Sequence, residues 1–176
     1  MLYMTTRNDR EVFTAQQVLQ RATGPEGGLF LPYRQPNISP ETFRALAKKP
    51  FAGRIAWMLN HLFESKCSLW DVEFAAGRSP VRLVSLGSRI FLAQTWYNPG
   101  WSYDAMAVSL SRLLGREEPA GWVGIALRCA VLMGICTELY NLGVTKPDIS
   151  VLSGDFSAPI AAFYLRQWGV PIGEIL

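Results

Sequence analysis

The sequence has little charge and only one histidine. Of its 176 residues, 18% are charged, whereas 49% are hydrophobic and 12% are aromatic. A chain so rich in apolar side chains is not intrinsically disordered and is expected to fold around a core. The net charge is +3, and the Lys and Arg residues are scattered among apolar ones. We therefore expect no nucleic-acid partner, because such partners favour concentrated basic patches.

The cysteines exclude two common kinds of site. Cys67, Cys129 and Cys136 show neither a CxxC pair nor a Cys/His ligand spacing, and an odd number suits a disulfide framework poorly. We expect no bound metal. The first residues also lack the basic stretch, apolar stretch and small-residue cleavage site of a secretory signal. Together these features predict a cytoplasmic protein.

One stretch, residues 120–136, is apolar enough to require comparison with a membrane span. Its only charged residue is Arg128, near the middle. An arginine at that depth costs roughly 2.5 to 3.5 kcal/mol for insertion. Charged residues on both sides also keep the span short. We predict a buried helix and no membrane association.

The first 77 residues predict a small helix-rich unit with short strands. Leu2 and Tyr3 are typical of a short edge strand, and Asn8 and Asp9 of a helix cap. Ser39 followed by Pro40 predicts the start of a further helix, because serine favours the cap and proline the first helical position. The other predicted elements are helices at 8–22, 54–63 and 69–76 and a strand at 29–31 closed by Pro32.

The composition becomes β-rich after residue 77. Two apolar runs, 81–85 and 89–94, flank Leu86-Gly87-Ser88, which predicts a hairpin. Amphipathic spacing predicts a helix at 103–114, and continuous apolar character a second one at 122–142. A strand at 149–152, a helix at 159–168 and a strand from Val170 complete the prediction of an α/β chain.

Three stretches together resemble threonine synthase, a pyridoxal-phosphate (PLP) enzyme of fold type II. The first is Met4-Thr5-Thr6-Arg7, the helix after it, and Glu26-Gly27-Gly28-Leu29-Phe30-Leu31-Pro32. The second runs from Ser79 through the hairpin to Met106, where the family carries its cofactor lysine. The third, residues 151–158, resembles the loop that holds the cofactor phosphate. The resemblance implies a threonine-synthase-like N-terminal domain at 1–77 and a reduced remnant of the PLP domain at 78–176.

Residue differences from this family decide the expected function. The position of the Schiff-base lysine falls on Ser102, after Trp101, and the sequence has no lysine between Lys66 and Lys146. The degenerate phosphate loop is Ser153-Gly154-Asp155-Phe156-Ser157, with Asp155 where the family has asparagine and Ser157 where it has glycine. A carboxylate repels the phosphate dianion, and the loss of glycine limits close backbone approach.

Two segments of the family pattern are also missing. Only residues 115–121 connect the helices at 103–114 and 122–142, where the family has a subdomain that holds cofactor and substrate, and the sequence ends at Leu176. We expect no PLP and no catalytic residue. The expected function is non-catalytic binding of a protein partner or a small metabolite. The alternative is a PLP-dependent component that converts O-phosphohomoserine to threonine when a partner chain completes it.

Several site features have a functional and a structural interpretation. The loop 153–157 suits an anion, but we favour Asp155 or Ser157 as a helix cap. Ser102 is also better interpreted as a cap than as a nucleophile, and His61 as a packed or solvated side chain. A cluster around the lost lysine position is a candidate ligand cleft, a partner contact or a filling of the vacated cofactor site. It consists of Gln94, Thr95, Trp96, Tyr97, Asn98, Trp101 and Tyr103.

The long apolar segment 122–142 predicts an interaction. A helix that is apolar on nearly every face needs neighbours all round, and the missing segments would leave one side open. We therefore expect a homodimer or a protein partner. Val131, Ile135 and Leu139 are spaced to form one stripe on that face.

Overall fold

A computed structural model describes residues 1–78, 80–95, 102–151 and 154–176. The predicted α/β fold is confirmed. In chain order the elements are β1 (Leu2–Thr5), β2 (Phe13–Thr14), α1 (Ala15–Gln20), β3 (Phe30–Pro32), α2 (Pro40–Ala47), α3 (Phe51–Phe63), α4 (Leu69–Ala76), β4 (Arg82–Gly87), β5 (Ile90–Gln94), α5 (Tyr103–Leu113), α6 (Trp122–Asn141) and α7 (Ser157–Gln167).

The strand predicted at Leu2 and Tyr3 is present as β1, but the antiparallel strand order β2-β1-β3 makes it the central strand and not the predicted edge strand. Tyr3 lies opposite Phe13 on one side and Pro32 on the other. Strand β2 lies within the segment 8–22, which the apolar spacing predicted to be a helix. Phe13 becomes a strand residue because its buried ring packs edge-on against Phe30, with ring centroids 5.2 Å apart.

The helix predicted from Asn8 and Asp9 to residue 22 has the wrong bounds, since α1 begins at Ala15 and ends at Gln20. Thr14 caps it, its hydroxyl accepting from the Gln17 backbone N–H at 3.3 Å while Gln17 Oε1 accepts from the Thr14 N–H at 2.8 Å. Asn8 instead closes a turn after β1, where its carbonyl accepts from the Thr5 N–H at 3.2 Å.

The other N-terminal helices follow their local signals. Ser39 caps α2 by accepting from the Thr42 N–H at 3.2 Å, and Pro40 is the first helical residue. The predicted bounds of α4 match the structure, whereas α3 begins at Phe51, three residues earlier than predicted. The apolar residues that recur at helical spacing along α3 are all fully buried: Ile55, Met58, Leu59 and Leu62.

The predicted hairpin is present as β4 and β5, which form a separate two-stranded antiparallel sheet. The strands predicted at 149–152 and from Val170 are not formed as continuous strands within the described residues. One parallel bridge between Ile149 and Ile175 stands in their place. Leu152 lies outside the described part of the chain.

Helix α6 is at the centre of the core and contacts α2, α3, α5 and α7. It is long and apolar enough to cross a membrane by length and composition, yet 67% of its most apolar window is buried inside the protein. No residue from Trp122 to Tyr140 is exposed. The open face expected on this helix is therefore wrong, because Val131 and Leu139 are only 3% and 7% exposed and belong to the core.

Buried residues on both sides of position 77 form one continuous cluster. The packing of α6 on α3 is the direct connection. Arg54 of α3, 3% exposed, reinforces it by donating to the Leu46, Ala47 and Gly134 carbonyls and pairing with Glu138. The division into two domains at 77 stays a prediction.

Candidate functional site

A cleft of about 280 Å³ lies where α5, the first half of α6 and the loop before α7 meet. We call it the Arg128 cleft. Its apolar wall comes from Ala107, Val108 and Ile125, and the segment 119–124 closes one side. Its polar lining consists of Tyr103, Asp104, Arg128, Asp155 and Ser157.

Ser102 starts the helix that carries two of these polar residues. Its hydroxyl oxygen accepts from the Ala105 backbone N–H at 3.1 Å, so Ser102 is the N-cap of α5, as the cap interpretation predicted. The position assigned to the family lysine is thus occupied by a structural side chain. Ser102 does not itself line the cleft, but the next residue in the chain, Tyr103, does.

Asp155, in the loop before α7, accepts hydrogen bonds from the first residue of that helix. Asp155 Oδ1 accepts from the Ser157 N–H at 3.1 Å and from the Ser157 hydroxyl at 2.7 Å. The N-cap position itself is Phe156, with a left-handed φ of 58°, so Ser157 is the first helical residue and not the cap. The Asp155 carboxylate therefore takes up a backbone N–H that an anion bound at this helix start would use.

Arg128 brings α6 into the site. Its Nη2 lies 3.8 Å from Asp155 Oδ2, and its guanidinium carbon lies 4.2 Å above the centroid of the Tyr103 ring. The side chain is 26% exposed, so both interactions are partly shielded from water. Sequence reasoning considered Arg128 only as a cost to membrane insertion and missed it as a site residue. The available signal was a lone charge within a long apolar helix.

Tyr103 contributes a neutral phenol. Its hydroxyl is buried and has no hydrogen-bond partner among the described residues. Burial raises the pKa of Tyr103 well above its usual value, and the nearby Arg128 charge opposes this only in part. The hydroxyl therefore stays protonated at physiological pH.

The predicted candidates reach the cleft only in part. Tyr103, Asp155 and Ser157 line it, whereas Gln94, Thr95, Gly154 and Phe156 do not. Gln94 ends β5, Thr95 follows it, and the Phe156 side chain is 69% exposed. The remaining predicted candidates lie outside the described residues: Trp96, Tyr97, Asn98, Trp101 and Ser153.

The other titratable candidates are structural. His61 is exposed on α3 and stacks on Trp57 with ring centroids 4.9 Å apart, and partial burial lowers the pKa of His61. Cys129 and Cys136 are buried, and burial raises the pKa of both thiols, that of Cys136 to about 12. Across the described ranges, no group of three or more His, Cys, Asp or Glu residues is placed to hold a metal.

The N-terminal part of the chain matches a known protein family model. Residues 2–72 match a family model described as "Threonine synthase N terminus". No curated protein sequence is significantly similar to the chain.

The whole fold is similar to solved threonine synthases. The crystal structure of threonine synthase from Escherichia coli superposes with a TM-score of 0.78 and 12% identity, over 99% of this chain and 63% of that one. PLP-bound threonine synthase from Brucella melitensis gives a TM-score of 0.53 and 18% identity, over 99% of this chain and 35% of that one. The chain therefore spans less than two thirds of the length of either enzyme.

Proposed function

We propose that this threonine-synthase-like chain is non-catalytic and acts by binding a small metabolite in the Arg128 cleft. The observation that carries the proposal is the role of Ser102. At the position assigned to the family lysine, the side chain caps α5, and the next residue, Tyr103, lines the cleft. A serine hydroxyl forms no Schiff base, so the bond through which PLP acts as an electron sink is not available there.

The loop before α7 supports the loss of PLP. A dianionic phosphate at this helix start would face the Asp155 carboxylate, which already accepts from the Ser157 N–H. The cleft volume of about 280 Å³ falls just below the range that holds drug-sized ligands, and so suits a smaller molecule.

A PLP-dependent component completed by a partner chain is the alternative function. It would convert O-phosphohomoserine to threonine, the reaction that the resemblance implies. Its support is that the chain covers 63% of the Escherichia coli enzyme, so a second chain would have segments to supply. Cofactor binding separates the two functions directly.

Purified protein incubated with PLP and then with sodium borohydride is expected to carry no stoichiometric pyridoxyl group. The physical reason is that no lysine lines the cleft and none lies between Lys66 and Lys146. Mass spectrometry of the intact and digested protein gives the measurement. The Brucella melitensis enzyme serves as the positive control. Complete labelling of one lysine in this chain would contradict the non-catalytic proposal.

A homodimer is the second part of the proposal. Its support comes from exposed apolar side chains on α4, where Trp70 is 68% exposed and Phe74 is 91% exposed. Because these residues are four apart, they lie on one face of the helix. Leu86 and Ile90 of the hairpin are each 61% exposed as well. Surface aromatics that lie side by side are a common feature of protein interfaces.

Light scattering is expected to give a mass above that of the 19.6 kDa monomer for the wild type. Phe74→Glu should return the protein to monomer without unfolding it, because the side chain is almost fully exposed. Leu142→Glu is the matched control, since Leu142 is 59% exposed at the end of α6 and away from α4. A wild type that is monomeric at micromolar concentration would refute self-association.

We also propose a cytoplasmic location. Cys67, Cys129 and Cys136 are all free thiols, and a reducing compartment preserves thiols.

A further inference from the structure

We infer that the outer edge of strand β5 binds an extended acidic segment of another protein, which pairs with it as a third strand. This inference goes beyond the proposed functions, because it uses neither the Arg128 cleft nor the α4 surface of the homodimer. Three features of the β4–β5 hairpin support it: an unpaired backbone edge, apolar side chains on both faces, and a local charge of one sign.

The hairpin has no backbone partner outside its own two strands. Strands β4 and β5 pair only with each other, and across the described residues no backbone hydrogen bond joins 82–94 to another element. The register shift between Ser85 and Gly87 interrupts the regular pairing of β4. Strand β5, Ile90–Gln94, contains no proline and no charged residue. Its outer edge therefore presents a regular row of amide and carbonyl groups, which is what an added strand requires.

Both faces of the hairpin carry apolar side chains that the rest of the chain leaves partly open. Val84 lies opposite Leu92 on one face, and Leu83 lies opposite Ala93 on the other. None of the described residues from 82 to 95 is buried. A two-stranded hairpin is marginally stable in water, and a third strand that extends an apolar face stabilises it. The occupant therefore carries apolar side chains in its central part.

The charge around the hairpin indicates the chemistry of the occupant. No acidic residue occurs from 74 to 103. Of the three arginines in that range, Arg78 pairs with Glu73 at 3.4 Å. Arg82 and Arg89 are exposed and form no ion pair among the described residues. The hairpin therefore keeps two positive charges available to a partner.

The two available arginines lie at opposite ends of β5. Arg89 directly precedes Ile90, and Arg82 lies opposite Gln94 at the other end. A second copy of the chain would bring the same positive charges to this edge and be repelled, whereas acidic residues at the ends of an incoming strand are attracted. Charge therefore favours an acidic partner over self-pairing at this edge.

Fluorescence anisotropy of labelled peptides mixed with the full chain tests the inference. The acidic probe is Glu-Val-Thr-Val-Thr-Val-Glu, acetylated and amidated so that only its side chains are charged. The lysine probe replaces both glutamates by lysine. The methylated probe keeps the glutamates but carries N-methyl groups on two adjacent central residues, which removes a backbone donor from each edge of the strand.

The acidic probe is expected to bind saturably. The lysine probe should bind about tenfold more weakly or worse, because two attractions become repulsions. The methylated probe should also lose about tenfold or more, because the lost donors no longer pair with the edge of β5. In NMR spectra of the full chain, the amide shifts caused by the acidic probe should concentrate at Ile90–Gln94.

Two substitutions in the protein assign the charge contacts. Arg82→Gln and Arg89→Gln should each weaken the acidic probe by about threefold, the usual contribution of an exposed ion pair. Both side chains are exposed, so both variants remain folded. Arg112→Gln is the control, because Arg112 is 63% exposed on α5 and not on the hairpin.

Several results would overturn the inference. They are the absence of saturable binding by the acidic probe, equal binding of the lysine probe, equal binding of the methylated probe, and an unchanged affinity in both arginine variants. Hairpin amide signals that shift with protein concentration in Phe74→Glu would place a second copy at the edge instead. Co-sedimentation with phosphatidylserine vesicles but not with phosphatidylcholine vesicles would place a membrane there. The α4 homodimer fails separately, through a monomeric wild type.

Discussion

Arg54→Met is expected to lower the free energy of unfolding by about 2 kcal/mol, the cost of losing hydrogen bonds from a buried charged group. The guanidinium donates to the Leu46 and Ala47 carbonyls at 3.1 and 2.9 Å and to Glu138 Oε1 at 2.5 Å. The first two acceptors are at the end of α2, where the last carbonyls of a helix need partners from outside its own ladder. The Leu46 carbonyl also accepts from the Lys49 N–H and the Ala47 carbonyl from Asn141 Nδ2, each at 2.9 Å, so Arg54 is the second donor to both. Methionine fills the volume but removes the Arg54 donors from these carbonyls and leaves Glu138 without its cation.

Denaturant unfolding followed by circular dichroism measures this change. Arg44→Met is the matched control, because Arg44 is 55% exposed and its ion pair with Glu41 spans one helical turn. Such surface pairs contribute about 0.5 kcal/mol. If Arg54→Met and Arg44→Met lost equal stability, Arg54 would have no special role in joining α2, α3 and α6.

Val131→Asp is expected to cost on the order of 4 kcal/mol and to leave little folded protein. Val131 is 3% exposed, so the substitution buries a carboxylate among apolar side chains. Ile135→Asp should cost less, because Ile135 is only partly buried and its carboxylate would reach water. Circular dichroism and light scattering together distinguish loss of fold from loss of association.

The control for both variants is Leu142→Asp, at an exposed position just after α6, where little change in stability is expected. The three results should follow burial, with Val131→Asp worst and Leu142→Asp nearly neutral. A Val131→Asp protein that is folded and monomeric would restore the view that this helix face is an interface.

Local sequence signals were sufficient for several helices. Ser39 and Pro40 mark the start of α2, and Ser102 marks the start of α5, because a cap acts on backbone groups within three residues. The apolar spacing of α3 predicted its buried face for the same reason, since the helical period is a local property.

The first strands required partners that the local pattern does not show. The segment around Phe13 reads as part of a helix, but pairing with Tyr3 and the ring contact with Phe30 make it a strand. Short segments are decided by such distant contacts, because their own preferences amount to little free energy. The end of β1 then places Asn8 in a turn and removes it as a helix cap.

For the site, residue identity alone established that no lysine lies between Lys66 and Lys146 and that Asp155 lies in the loop before α7. Tertiary structure alone decided that Arg128 lies 3.8 Å from Asp155 and over Tyr103, with Asp104 on the same cleft. These residues come from three helix regions far apart in the chain. Their meeting depends on how α5 and α7 pack on α6, and packing of remote helices is not encoded in any local period or cap.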